Sequence, residues 1–72
     1  MINSTIIKHL TLREEQCMHG MMDGLTAKEI ALNLNISYRT VELHISNLRK
    51  KLNSKNKCMA IRRFIEVSRT FN

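Results

Sequence analysis

Three residues, Asn35-Ile36-Ser37, separate two stretches that each repeat apolar side chains at helical spacing. Ala27, Ile30, Ala31 and Leu34 come before them; Val41, Ile45, Leu48 and Leu52 come after. The period predicts helices over 27–34 and 38–52. So short a connection forbids antiparallel stacking and forces the two helices to cross steeply. Each residue of the connection suits such a turn. Asn35 tolerates the left-handed backbone better than most non-glycine residues. Ile36 is an apolar plug, and Ser37 can cap the helix that follows.

The rest of the chain reads as two more helices. Thr11 followed by Glu14 is a capping box, and so is Thr26 followed by Glu29. After the first box, Cys17, Met18, Met21, Met22 and Leu25 fall on one helical face, and Gly24 is a natural left-handed stop. The Met-rich stripe reads as core. Asn53 can end the 38–52 helix. A last helix is expected from about Lys57 to Arg69, with Ile61, Phe64, Ile65 and Ser68 along one face. Proline is absent and glycine occurs only at Gly20 and Gly24, which disfavours a turn-rich β fold. The expected fold is an all-α, compact four-helix domain containing a helix-turn-helix over residues 10–72. Residues 1–9 are expected to form an N-terminal arm or linker, whose Ile6 and Ile7 could fold back onto the core or belong to a longer parent chain.

A protein of 72 residues holds one domain at most and has no room for a walled catalytic cleft. Its formal net charge of +6 is a property of the second half. Residues 38–72 hold nine Lys and Arg against Glu42 and Glu66, whereas residues 1–37 sum to −1. Such one-sided excess attracts polyanions, nucleic acid first and anionic membrane second. The 38–52 helix gathers this charge on one face. Its apolar stripe turns inward, and Tyr38, Arg39, Glu42, Leu43, Ser46, Asn47, Arg49 and Lys50 remain for the outer side. A helix of about 10–12 Å diameter fits the B-DNA major groove, about 12 Å wide.

Residues 10–61 resemble the LuxR/GerE-type helix-turn-helix domain of bacterial transcription regulators. The matching residues are Leu10-Thr11, Arg13-Glu14, Gly24, Lys28-Glu29-Ile30-Ala31, Leu34, Ile36-Ser37, Thr40-Val41, His44 and Lys51-Leu52. The resemblance implies a four-helix fold, a DNA-reading third helix and dimerisation through the fourth. It also implies base contacts from the positions of Glu42, Leu43 and Ser46, and backbone contacts from Lys50 and Lys55. Many relatives carry a basic residue where this sequence has Glu42. That carboxylate could accept from cytosine N4, or could pair with Arg39 or Lys50. Leu43 could touch a thymine methyl.

Position alone suggests further roles. Thr26 and Lys28 start the second helix, whose free N–H groups favour a phosphate. Ser37, Tyr38, Arg39 and Thr40 start the third and can hold the backbone in register. With the fourth helix as the dimerising element that the resemblance implies, Met59, Arg63, Phe64, Val67 and Phe71 are expected to meet a second subunit.

The expected function is sequence-specific binding of double-stranded DNA by a homodimer in a bacterial transcription regulator. RNA polymerase or another regulator is a further expected partner. The rival is a stand-alone interaction module that heterodimerises with a full-length regulator and inhibits it.

Other classes fit less well. His9, His19, His44, Cys17 and Cys58 match no common zinc spacing, so neither metal nor cofactor is expected. The two cysteines read as small buried or half-buried hydrophobes. No nucleophile–base pair with an oxyanion site is visible, so no enzyme is expected. The basic last helix could lie on a membrane, but it lacks Trp, and its apolar residues are needed to close a small core. With neither a secretory signal nor an apolar run of about 20 residues, the expected compartment is the bacterial cytoplasm, at the nucleoid.

Overall fold

A computed structural model describes residues 10–71, with side chains described through Arg69. The arm over residues 1–9 and the side chain of Phe71 lie outside the described residues. Four helices follow one another: α1 (Leu12–Met22), α2 (Ala27–Leu34), α3 (Tyr38–Lys51) and α4 (Lys57–Phe71). No strand occurs among the described residues.

Local chemistry explains each start. Thr11 Oγ1 accepts from the Glu14 N–H at 3.1 Å, and Glu14 Oε1 accepts from the Thr11 N–H at 2.9 Å. Thr26 and Glu29 repeat the reciprocal pair at 3.2 and 2.8 Å. Ser37 Oγ accepts from the Thr40 N–H at 3.0 Å and caps α3 without a glutamate. Asn56, which no capping box marks in the sequence, caps α4: its Oδ1 accepts from the Met59 N–H at 2.8 Å.

The three turns share one closing device. Gly24 (φ 84°), Asn35 (φ 56°) and Asn53 (φ 52°) are left-handed. In each case the next residue donates back across the turn: Leu25 to Gly20, Ile36 to Ala31 and Ser54 to Arg49. The left-handed residue itself donates to Met21, Leu32 or Lys50. These are Schellman closures, which satisfy carbonyls that a helix end leaves open.

The core forms where α1 and α2 pack on α3. Cys17, Met18 and Met21 of α1 meet Ala27, Ile30 and Ala31 of α2 and the inward stripe Val41, Ile45, Leu48 and Leu52. Leu34 and Ile36 pack against this cluster half-buried. Gly20 sets the approach of α1 to α2: a Cβ added there would lie 2.7 Å from Ile30 Cγ1.

Three expectations need correcting. Met22 is 40% exposed, because α1 rolls its stripe onto Met18 and Met21. On α4 the buried positions are Ala60, Phe64 and Val67, at i, i+4 and i+7, while Ile65 turns outward at 36% exposure. Cys17 is buried as expected, but Cys58 is exposed on the first turn of α4.

Candidate nucleic-acid interface

The Asn35 turn tips α3 so that one side is sealed and the other open. Val41, Ile45 and Leu48 are buried, whereas Tyr38 is 47% and Leu43 59% exposed. Arg39 and Lys50 are exposed as well, and Thr40, Glu42, Ser46, Asn47 and Arg49 are half-buried along the flanks. Leu43 shares a shallow concavity with Arg39 and Thr40. Thr26, Lys28 and Ser37 are exposed at the starts of α2 and α3. Lys55 is exposed in the loop between α3 and α4. The α2–α3 unit therefore presents a ridge about one helix wide, flanked by cations.

Two side-chain interactions lie on this ridge. The Lys28 ammonium lies 6.0 Å from the centre of the Tyr38 ring, within cation–π range, and ties the start of α2 to the start of α3. One turn along α3, a hydrogen bond to the Glu42 carboxylate, and then that carboxylate's charge, push the Tyr38 phenol above its ordinary range. Glu42 thus engages Tyr38, a partner beyond the Arg39, Lys50 and cytosine that its sequence position suggests. A tyrosine four residues before a glutamate on one helix face is the signal that could have found it.

Arg49 has a second occupation. Its guanidinium donates to the Lys55 carbonyl and braces the loop between α3 and α4. The far end of α3 is held from the other side, where Lys51 Nζ meets Glu14 Oε1 at 2.8 Å. Burial alone would raise the Glu14 carboxyl. The Lys51 hydrogen bond, the Thr11 N–H and the positive fields of Lys51 and His44 outweigh it and hold the group below its ordinary range. His44 is half-buried, as expected of a packing residue.

The residues expected at a subunit contact divide. Phe64 and Val67 are buried inside the monomer, where they close α4 onto the core, so they offer little free surface. Met59 is half-buried and Arg63 exposed on the flank of α4 that faces the loop. No cluster of three or more metal-binding side chains occurs among the described residues. No helix among them is long and apolar enough to cross a membrane.

Two helices meeting at a left-handed asparagine, the second seated by its inner stripe and bare along its outer one, define a helix-turn-helix DNA-binding domain. The chain belongs to the luxR family of bacterial regulatory proteins, whose family model matches residues 8–64. It is 44% identical over 57 residues to the nitrate/nitrite response regulator protein NarP of Escherichia coli, covering 79% of the present sequence and 26% of that protein. It is 46% identical over 56 residues to the transcriptional activator protein VanR of Vibrio anguillarum, covering 78% and 23%. A probable transcriptional regulator, ycf29 of Porphyra purpurea, is 41% identical over 54 residues, covering 75% and 26%. The chain thus spans about a quarter of the length of these relatives. By name they are a response regulator, a transcriptional activator and a probable transcriptional regulator, and none is named as an enzyme.

Proposed function

We propose that the domain binds double-stranded DNA sequence-specifically, as a homodimer, within a transcription regulator acting in the bacterial cytoplasm. The observation that carries this reading is the two-sided burial of α3: a sealed inner stripe, and an open ridge bearing Tyr38 and Leu43. Glu42, Leu43, Ser46 and Asn47 face base edges in the major groove. Thr26, Lys28, Ser37, Arg39, Thr40, Lys50 and Lys55 hold phosphates and set the register. Arg49 supports this row by bracing the loop that carries Lys55. Because Phe64 and Val67 are used inside the monomer, pairing falls on the exposed side of α4, which among the described residues presents Ile65 as a large apolar side chain. Two copies read half-sites about one helical turn apart.

Selection from random duplexes, followed by affinity measurement across salt, tests the reading. One enriched half-site motif and a steep fall of affinity with salt are expected. Binding that ignores both sequence and salt would refute it.

One observation favours the rival reading, a module that pairs with a full-length regulator. Leu32 is 83% exposed on α2, beside a groove lined by Lys28, Ile36 and Tyr38. RNA polymerase could equally take that surface. Gel filtration with a DNA shift assay separates the cases: the rival requires a tight protein complex and no specific DNA complex.

A further inference from the structure

Between the end of α3 and the flank of α4 lies a cleft lined by Arg49, Lys50, Lys55, Met59 and Arg63, together with Asn53 and Ser54. Four of these side chains are cationic and none is acidic. The nearby Glu66 lines a separate depression with Arg62, Arg63 and Met59. Arg63 has no ion-pair partner among the described residues. The Nε of Arg49 is buried and has no acceptor there either. Four like charges around one concavity repel one another unless an anion sits among them. Arginine adds a planar fork that matches phosphate oxygens.

We infer that this cleft is a phosphate site, and that Arg63 on α4 completes it across the loop from Lys50 and Lys55. The occupant is a backbone phosphate of the bound duplex, lying beyond the base pairs that α3 reads. The assignment rests on the DNA-binding reading above. It moves Arg63 from the expected subunit contact to the DNA side. The cleft is continuous with Lys50 on the ridge, so a strand leaving the major groove along α3 meets Lys50 first and Arg63 next. Arg49 acts here as a positioning residue: its hydrogen bond to the Lys55 carbonyl fixes the loop that closes the cleft.

The test compares the intact protein with Arg63→Ala on a selected duplex and on a scrambled one, across a salt series. Arg63 is exposed, so the fold should survive, and circular dichroism checks this. Arg63→Ala should weaken both duplexes by the same factor and lower the salt slope by about 0.9, the signature of one lost phosphate contact. Arg63→Lys should restore most of the slope. Replacing one flanking phosphate by a neutral methylphosphonate should weaken wild type and leave Arg63→Ala unchanged.

A wild-type slope in Arg63→Ala overturns the assignment. So does a loss explained by weaker self-association in sedimentation, which would return Arg63 to the subunit contact. A small-anion source is separated by melting in inorganic phosphate against chloride at matched ionic strength. Stabilisation by phosphate that Arg63→Ala abolishes, with the DNA slope intact, also overturns it. If wild type binds no duplex, the DNA-binding reading itself falls.

Discussion

Lys51 Nζ sits 2.8 Å from Glu14 Oε1, joining the end of α3 to the start of α1 across 37 residues of sequence. The same carboxylate oxygen accepts from the Thr11 N–H, so one group closes the capping box of α1 and anchors α3. Glu14 is 3% exposed, which makes the pair costly to break from one side. Lys51 keeps about a third of its side-chain surface in water, so the cost falls short of that for a fully buried pair. Lys51→Met leaves the buried charge short of its cation and should destabilise by about 2 kcal/mol. Glu14→Gln keeps an acceptor for the cap and should cost less, about 1 kcal/mol. Thermal melts of both single variants and the double variant would measure the coupling.

The pair also sets a pH dependence. The folded Glu14 carboxyl titrates below its unfolded value of 4.5. The folded state therefore binds fewer protons than the unfolded state in that range, and stability rises with pH through it. The contribution should be complete above about pH 5.5 and fade as pH falls through 4.5 and below. Urea midpoints against pH check this: the gap between wild type and Glu14→Gln should close on the acid side. A gap that stays constant down to about pH 3 would contradict the ion pair.

Gly20 and Ile30 predict a substitution that fails against propensity. Alanine at this place in the last turn of α1 should gain up to about 1 kcal/mol in helix preference. Its methyl, however, would lie 2.7 Å from Ile30 Cγ1 and 2.9 Å from Cδ1, and Ile30 is 1% exposed with nowhere to turn. Overpacking of this kind costs about 1–3 kcal/mol, so Gly20→Ala should lower the melting temperature. In an Ile30→Ala background the same change should be neutral or stabilising. Equal effects in the two backgrounds would mean that α1 and α2 shift apart freely.

What the sequence discloses follows the reach of each signal. The Thr11–Glu14 and Thr26–Glu29 caps, the left-handed Gly24, Asn35 and Asn53, and the inner stripe of α3 are each set by residues a turn or so apart, and all are legible. The open ridge follows from the same period. The Glu14–Lys51 pair is hidden, because two charges 37 residues apart meet only once the crossing angles are known. Gly20 is hidden for the same reason, since nothing local reveals what faces a missing side chain. On α4, several registers satisfy a short apolar pattern. Placing Val67 inside and Ile65 outside depends on the core it closes. The family resemblance puts Arg63 on the helix expected to dimerise, and its place beside Lys50 and Lys55 depends on how the loop folds back.

Asn35 predicts the behaviour of the turn itself. Its φ of 56° costs a β-branched residue far more than asparagine, and glycine nothing. Asn35→Gly should be within about 0.5 kcal/mol of wild type, and Asn35→Val should lose about 1–2 kcal/mol. The loss should reach function: once the turn is strained, α2 and α3 no longer hold their crossing, and DNA affinity should fall on every sequence. Melting curves and binding to a selected duplex give both halves of the result.

Tyr38 is the protein's single tyrosine, which makes its contact on the DNA-facing ridge directly measurable. The Glu42 carboxylate holds the Tyr38 phenol above its ordinary value of 10. Glu42→Gln removes the charge and should bring the phenol back down, as followed by ultraviolet absorbance during a pH titration. Tyr38 is exposed, so Tyr38→Phe should change stability by less than about 0.5 kcal/mol. On DNA the two variants should part. If Glu42 reads a base, Glu42→Ala relaxes preference at one base pair by about 1–3 kcal/mol. Tyr38→Phe, which frees the carboxylate to move and removes a hydroxyl but no base-reading group, should blur that preference less. Unchanged preference in both variants, with the phenol lowered in Glu42→Gln as expected, would leave Glu42 as a partner of Tyr38 alone and assign the reading to Leu43, Ser46 and Asn47.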